Sequence, residues 1–338
     1  MNTTAQPGSS ASDSNLPPRN ILQPTGHDID TVKLVVGYRA DPARLHALDD
    51  VRDHYGDDAW LKTTAKHHNL FVAVTESRVS VHNSLAVYLA SVRGLPYGNA
   101  TPFDHDALEP ALVDLADVIG VPAEVFLKGR VMKLDVGVNV PVASPVREIT
   151  DNMIADSGAR VMPRGPASTE VGYTTRGLYV YNKRTERGQR CVDPVYGPGP
   201  LARVELKLKK DIDRQLGRAV TVASLCDRAF YEHLGERLVQ AAIDQPFRRS
   251  VRLDPVVQTP TDLYRAYAVS GIEALGGFDA AMNTIDASQR LGVLDKSRAS
   301  RLRGAVRDLR RSPDLTETLD VAADFRRAVR GAVYTSSH

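Results

Sequence analysis

Apolar residues alternate with polar ones in several short runs of the chain and recur every three to four residues in several longer ones. The β-branched run from Asp30 to Tyr38 predicts the first strand. A helical pattern begins at Pro42 and runs past Leu48. Leu70–Val74 and Arg78–His82 form a predicted hairpin. Leu108, Leu112, Leu115 and Ile119 predict a helix over 107–119, with Asp104 or Asp106 as its cap. A strand follows over 131–142, then a helix over 145–155 with Ser144 at its N-cap. Strands at 177–183 and 201–209 precede one long helix over 222–243. The pattern after 261 is helical throughout, over 262–274, 280–291, 296–311 and 317–330. These elements predict an α+β fold: an antiparallel central sheet with helices on one face and the other face open. A change of composition near 250–260 divides a mixed domain (28–250) from a smaller all-helical one (258–331). Residues 1–27, rich in Ser, Thr, Pro, Gly and Asn, predict a disordered tail.

Composition narrows the class. The 338 residues are 42% hydrophobic, enough for a real core. No apolar run reaches the ~18 residues of a membrane span, and the first residues lack a secretory pattern. Two cysteines, Cys191 and Cys226, do not make a disulfide scaffold, so a cytoplasmic protein is expected.

Charge changes the picture more. The net of +2 hides an asymmetry: residues 28–120 carry fourteen acids and eight bases, and the rest of the chain is correspondingly basic. Lys296, Arg298, Arg301, Arg303, Arg307, Arg310 and Arg311 form the densest cluster. Helical spacing puts Arg303, Arg307, Arg310 and Arg311 near one face. That face is either a solvated surface or a stripe for DNA phosphates.

The candidate chemistry lies on the polar sides of the strands. Period two groups Asp135, Gly137 and Asn139; Tyr179, Tyr181 and Lys183; Glu205, Lys207 and Lys209; and Ser80 with His82. Each residue alone reads equally well as a packed or solvated strand position. Together, Asp135, Glu205 and His82 can hold a hard divalent cation such as Mg²⁺ or Mn²⁺. The lysines suit phosphate oxygens, and a tyrosine hydroxyl can attack phosphorus.

Three segments stand in order: Val131-Met-Lys-Leu-Asp-Val-Gly-Val-Asn-Val140, Thr175-Arg-Gly-Leu-Tyr-Val-Tyr-Asn-Lys-Arg-Thr-Glu186 and Ala202-Arg-Val-Glu-Leu-Lys-Leu-Lys209. Asn83-Ser-Leu-Ala-Val-Tyr-Leu89 and Tyr97-Gly-Asn99 precede them, and Val220-Thr-Val-Ala-Ser-Leu-Cys-Asp227 follows. Over about 28–245 the chain resembles the gene II/gene X family of phage and plasmid replication initiators. The resemblance implies a Rep-nuclease-like fold and a rolling-circle initiator that nicks one strand of a double-stranded origin. It implies Tyr181 as nucleophile and a 5′-phosphotyrosyl intermediate; Tyr179, on the same strand face, is the competitor, and Lys183 would help activate the phenol while Lys207 stabilises phosphate oxygens. Asp135 matches the family's strand acid, and Arg203 and Glu205 its Arg-x-Glu. Arg203, Lys209 and the C-terminal arginines would hold single- and double-stranded origin DNA. The implied partners are a bacterial host's helicase and polymerase. Lys133 stands where the family often has Arg, and Ser80 where it can have an acid. No His-hydrophobe-His triplet occurs among the nine histidines. Two other readings remain: a DNA-binding initiator or copy-control protein that does not cut, and a metal-dependent nuclease that uses water.

Overall fold

The computed structural model describes residues 26–56, 59–96, 98–155, 158–186, 194–251, 259–312 and 316–334. Tyr97, Cys191 and almost all of the expected tail lie outside them. The chain begins with β1 (Asp28–Val36), β2 (Asp49–Gly56), β3 (Ala59–His67), β4 (Leu70–Thr75) and β5 (Val79–Ser84). Helices α1 (Leu85–Val92), α2 (Leu108–Val118) and α3 (Ala123–Phe126) lead to β6 (Arg130–Pro141) and α4 (Val146–Asn152). Then come β7 (Arg160–Gly165), β8 (Ser168–Gly172), β9 (Arg176–Asn182) and β10 (Leu201–Leu208). Next are α5 (Ile212–Leu216), α6 (Val222–Cys226), α7 (Arg228–Asp244) and β11 (Arg249–Val251). The chain continues through α8 (Pro260–Ala274), α9 (Gly277–Arg290), α10 (Lys296–Arg311), β12 (Thr316–Thr318) and α11 (Asp320–Tyr334).

Ten strands form one antiparallel sheet in the order β2-β3-β4-β5-β1-β6-β10-β9-β8-β7. The protein is therefore α+β, as the pattern predicts. Leu134, Val136, Val138 and Val140 give β6 its core face. They share one apolar cluster with Leu112, Leu115, Leu234, Leu238, Phe325 and Val329 of α2, α7 and α11.

Several local expectations change. The helix predicted beyond Pro42 is a 3₁₀ turn, Pro42–Ala47, followed at once by the charge-rich hairpin β2–β3. The hairpin β7–β8 also lacks a clear alternation in sequence. The long helix over 222–243 is broken at Asp227, whose extended backbone ends α6 and whose side chain accepts the Phe230 amide to start α7. Pro145, not Ser144, is the N-cap of α4.

The domain division also shifts. Ala322, Phe325, Val329, Ala332 and Val333 bury one stripe of α11 in the main core. The Gly26 amide donates to the Ala332 carbonyl, so α11 meets the start of the fold. The separate helical part is thus α8–α10 alone, an insertion bracketed by the small β11–β12 sheet. Its own core is thin, centred on Val269 and Phe278. No helix among the described residues is long and apolar enough to cross a membrane.

Candidate active site on the polar face of the sheet

Register places the candidate residues in adjacent rows on one face. Asp135 of β6 pairs with Lys207 of β10. Gly137 pairs with Glu205, Glu205 with Tyr179, and Tyr179 with Glu170. Asn139 pairs with Arg203, Arg203 with Tyr181, and Tyr181 with Ser168. Asp135 and Glu205 are diagonal neighbours, within reach of one another's side chains.

This face was expected to be open, but much of it is closed. Asp135, Asn139, Glu170, Lys183, Arg203 and Glu205 are all buried. Asn99 supplies part of the cover, accepting from Lys183 Nζ at 2.6 Å and donating to Asp30 Oδ2 at 3.3 Å. Tyr196 adds a hydroxyl 3.2 Å from Asn139 Nδ2.

Arg203 sits at the centre with no exposed surface. It reaches Asp28 Oδ1 at 2.7 Å, Asp30 Oδ2 at 3.0 Å and Glu205 Oε1 at 3.3 Å. A guanidinium can serve three carboxylates at once because its donors form a planar fork. Gly137 makes the room, since a Cβ there would collide with the guanidinium. Arg203 is therefore an internal counter-ion, which corrects its expected place on the DNA. Asp28 and Asp30 belong to no recognisable motif, although their spacing around apolar Ile29 gives them one face. A bulge between Ile29 and Val32 keeps the following apolar residues in the core.

The carboxylates titrate unequally. Burial, followed by the neighbouring charge of Asp30, pushes Glu205 up to about 8. Burial also raises Asp28 to about 6 against the pull of Arg203. Burial pushes Asp30 upward too, but Arg203 and hydrogen bonds from Ser84 and Glu205 overcome it and hold Asp30 at about 2. The proton thus favours Glu205 over Asp30.

The Tyr181 hydroxyl donates to Glu205 Oε1 at 3.0 Å and lies 3.3 Å from Glu186 Oε1. Burial first, then the charge of Glu205, raises the phenol's pKa far above its ordinary value. A free phenolate is disfavoured here, and Glu205, in its ionised form, is the group placed to take the proton. The Tyr179 ring lies 4.9 Å from that of Tyr181, its hydroxyl 2.8 Å from Ser168 Oγ, and Lys207 Nζ 4.0 Å from its centroid. Lys183 is fully buried, bonded to Glu186 and Asn99 and 5.7 Å from the Tyr181 ring centroid.

No protein family and no curated protein matches this chain. The site therefore has to be read from its own geometry.

For a metal ion, no group of three or more ligating side chains exists among the described residues. His82 stays apart from the carboxylates. Its side chain reaches solvent, it pairs with Lys33, and partial desolvation, then Lys133 and Lys33, lower its pKa. That electropositive setting corrects its expected role as third ligand. Asp135 fits better. Its Oδ2 meets Lys133 at 3.1 Å, while its Oδ1 is buried with no hydrogen-bond partner. Burial raises its pKa, which an added cation would reverse. Mg²⁺ commonly uses one or two carboxylates, with water and substrate phosphate filling the rest. Asp135 with Glu205 meets that requirement.

The other expected DNA contacts are dispersed. Lys209 binds Glu170 Oε1 at 2.6 Å, and Arg164 binds the other oxygen at 3.1 Å. On α10, Arg303 is tied to Asp286 at 2.7 Å, Arg310 to Asp279 at 3.5 Å and Arg298 to Asp295 at 3.3 Å. Arg301 is exposed. Arg307, Arg310 and Arg311 line a cavity against the main domain. The stripe is not one outward surface.

Proposed function

We propose that the protein is a DNA strand-nicking enzyme that initiates rolling-circle replication, with Tyr181 as its nucleophile. The observation that carries the reading is the 3.0 Å hydrogen bond from the Tyr181 hydroxyl to Glu205, one diagonal from the unpartnered Oδ1 of Asp135. These put a nucleophile, a proton acceptor and an unpartnered carboxylate oxygen on one face.

Tyr181 Oη attacks the scissile phosphorus and displaces the 3′ oxygen, while its proton passes to Glu205 in its ionised form, which makes the reaction faster as pH rises towards about 8. The bond to phosphorus forms as the proton leaves, so the costly free phenolate is avoided. Lys207, whose Nζ lies 3.8 Å from Glu205 Oε2, neutralises phosphate oxygens and supplies a proton to the departing 3′ oxygen. Asp135 and Glu205 would hold Mg²⁺ or Mn²⁺, which when bound supplies Lewis-acid polarisation of the phosphate. Arg203 holds Glu205 in place from inside. The product is a 5′-phosphotyrosyl adduct and a free 3′ hydroxyl, and the reverse reaction rejoins the strand. Host helicase and polymerase would act between the two steps.

Glu186 is the obstacle to this chemistry. Its carboxylate lies against the phenol and would repel an incoming phosphate. DNA binding has to draw it aside.

A second reading, a DNA-binding initiator or copy-control protein that does not cut, draws on the burial of Tyr181 at 7% exposure. Nicking of a supercoiled origin plasmid with Mn²⁺ separates the two. Wild type should nick, Tyr181→Phe should fall by ~10³-fold or more, and chelator should stop the reaction. Full nicking by Tyr181→Phe overturns the assignment. Cut ends with free 5′ phosphates and no attached protein would indicate a water-using nuclease instead.

A further inference from the structure

A row of side chains leads away from Asp135 across the same face of the sheet. Lys133, two residues before Asp135, pairs with Lys33 of β1. Lys33 pairs with His82 of β5, His82 with Phe71 of β4, and Phe71 with Lys66 of β3. Directly paired strand residues share a face, so these five side chains form one line over five strands. At ~4.8 Å per strand the line runs about 19 Å. Phe71 is 48% exposed, and Lys33 and His82 also reach solvent. The flanking row is small: Ser80 pairs with Ala73, and Ala73 with Thr64. These three stand beside Phe71 and His82 and floor a trough of about 460 Å³.

An exposed ring beside an open trough is a surface on which a flat base can stack. Lysines at intervals along the same line suit a phosphate backbone. Lys133 binds Asp135 at 3.1 Å and Lys66 binds Asp50 at 2.8 Å, but Lys33 between them forms no ion pair with any described residue. Lys133 and Lys33 both act on His82 as positive neighbours. The paired positions hold no acid until Asp49 of β2. Lys66 is next to the last residue of β3, so the row stays clear of the β2–β3 turn. Bases inside a duplex are already stacked on one another, so a ring like Phe71 selects an unpaired strand.

We propose that this row is the track of an unpaired DNA strand, whose phosphates lie along Lys133 and Lys33 and one of whose bases stacks on Phe71. The proposal rests on the nicking reading for its direction, because the row ends at Asp135 and leads the scissile phosphate to Tyr181. The length suits roughly three to six nucleotides. The substrate of the tyrosine site is then single-stranded on the side that crosses β1, β5 and β4.

The test separates binding from cutting. The full chain is titrated, in chelator and at fixed salt, against a fluorescein-labelled oligothymidylate of about twelve nucleotides, and anisotropy is read. The variants are Phe71→Ala, Phe71→Trp and Lys33→Gln, with thermal melts verifying that each folds. Wild type should bind. Phe71→Ala should bind about fivefold or more weakly, while Phe71→Trp keeps wild-type affinity. Lys33→Gln should bind more weakly and show a shallower dependence on salt concentration. No binding by folded wild type overturns the proposal, as does wild-type affinity in either Phe71→Ala or Lys33→Gln. Equal competition by an unlabelled duplex overturns it too, because stacking is then not involved. So does a dimer that Phe71→Ala disperses, which assigns the face to a second copy. The two readings fail separately: variants that bind normally while wild type nicks sink the track alone, and a track that binds with no adduct on Tyr181 sinks the nicking reading alone.

Discussion

Arginines are used in opposite ways in two regions of this protein. In the sheet, one guanidinium, Arg203, is enclosed by Asp28, Asp30 and Glu205, and none of its surface reaches solvent. At the insertion, five arginines face one cleft whose described walls also carry two aspartates. The first arrangement is buried, with three carboxyl groups around one guanidinium, and burial raises Glu205 and Asp28 while Arg203 holds Asp30 ionised. The second gathers arginines from both parts of the chain around an open cleft. The number of arginines in a segment does not tell these apart; the acids that neighbouring elements bring to them do.

The largest effect that sharpens this contrast is on stability. Arg203→Ala leaves buried carboxylates without their counter-ion, which costs about 3–5 kcal/mol. Gly137→Val should cost a similar amount by driving a side chain into the same guanidinium. Arg301→Gln and Arg307→Gln should each stay within about 0.5 kcal/mol. Denaturant melts of the four proteins measure all of this. Equal losses at both regions would erase the contrast.

The next effect is a pH dependence. Glu205 and Asp28 are raised to about 8 and about 6 in the folded protein, so the fold holds those protons more tightly than the unfolded chain does. The stability they contribute is lost as pH rises through those values. Asp30, held at about 2, acts oppositely, and its contribution is lost only in strong acid. The melting temperature should fall by roughly 5 °C between pH 6 and pH 9. Glu205→Gln should flatten the upper part of that slope. Mn²⁺ binding has the reverse dependence, because a metal competes with the Glu205 proton. Its affinity should rise up to about tenfold per pH unit below about 8, as titration calorimetry would show.

The smallest effect is kinetic. Glu186→Gln removes the charge beside the Tyr181 phenol and should speed nicking several-fold in single-turnover assays, roughly 1 kcal/mol. A slower variant would mean that Glu186 assists the reaction.

Much of this was legible in the sequence. Strict alternation along β6, β9 and β10 puts Asp135, Tyr181 and Glu205 on one face before any coordinates are known. Alternation gives a face but not its cover, and Asn99 and Tyr196 come from distant loops. The Asp28–Asp30 pair was open to the same parity argument. It becomes chemistry only when a bulge and the β1–β6 pairing carry it to Arg203. On α10, helical spacing groups Arg303, Arg307 and Arg310 correctly. It says nothing of Asp279 and Asp286 on α9, which turn part of the stripe inward. In α11 the periodic apolar stripe was visible, but not that the main core would receive it.

The central claim is that Tyr181 bonds covalently to DNA. The most direct measurement incubates the full chain with labelled single-stranded origin DNA and Mn²⁺, then digests any adduct and maps it by mass spectrometry. The account predicts a 5′-phosphotyrosyl linkage on Tyr181 that is absent in chelator and in Tyr181→Phe. An adduct on Tyr179, or cleavage with no adduct, would contradict it.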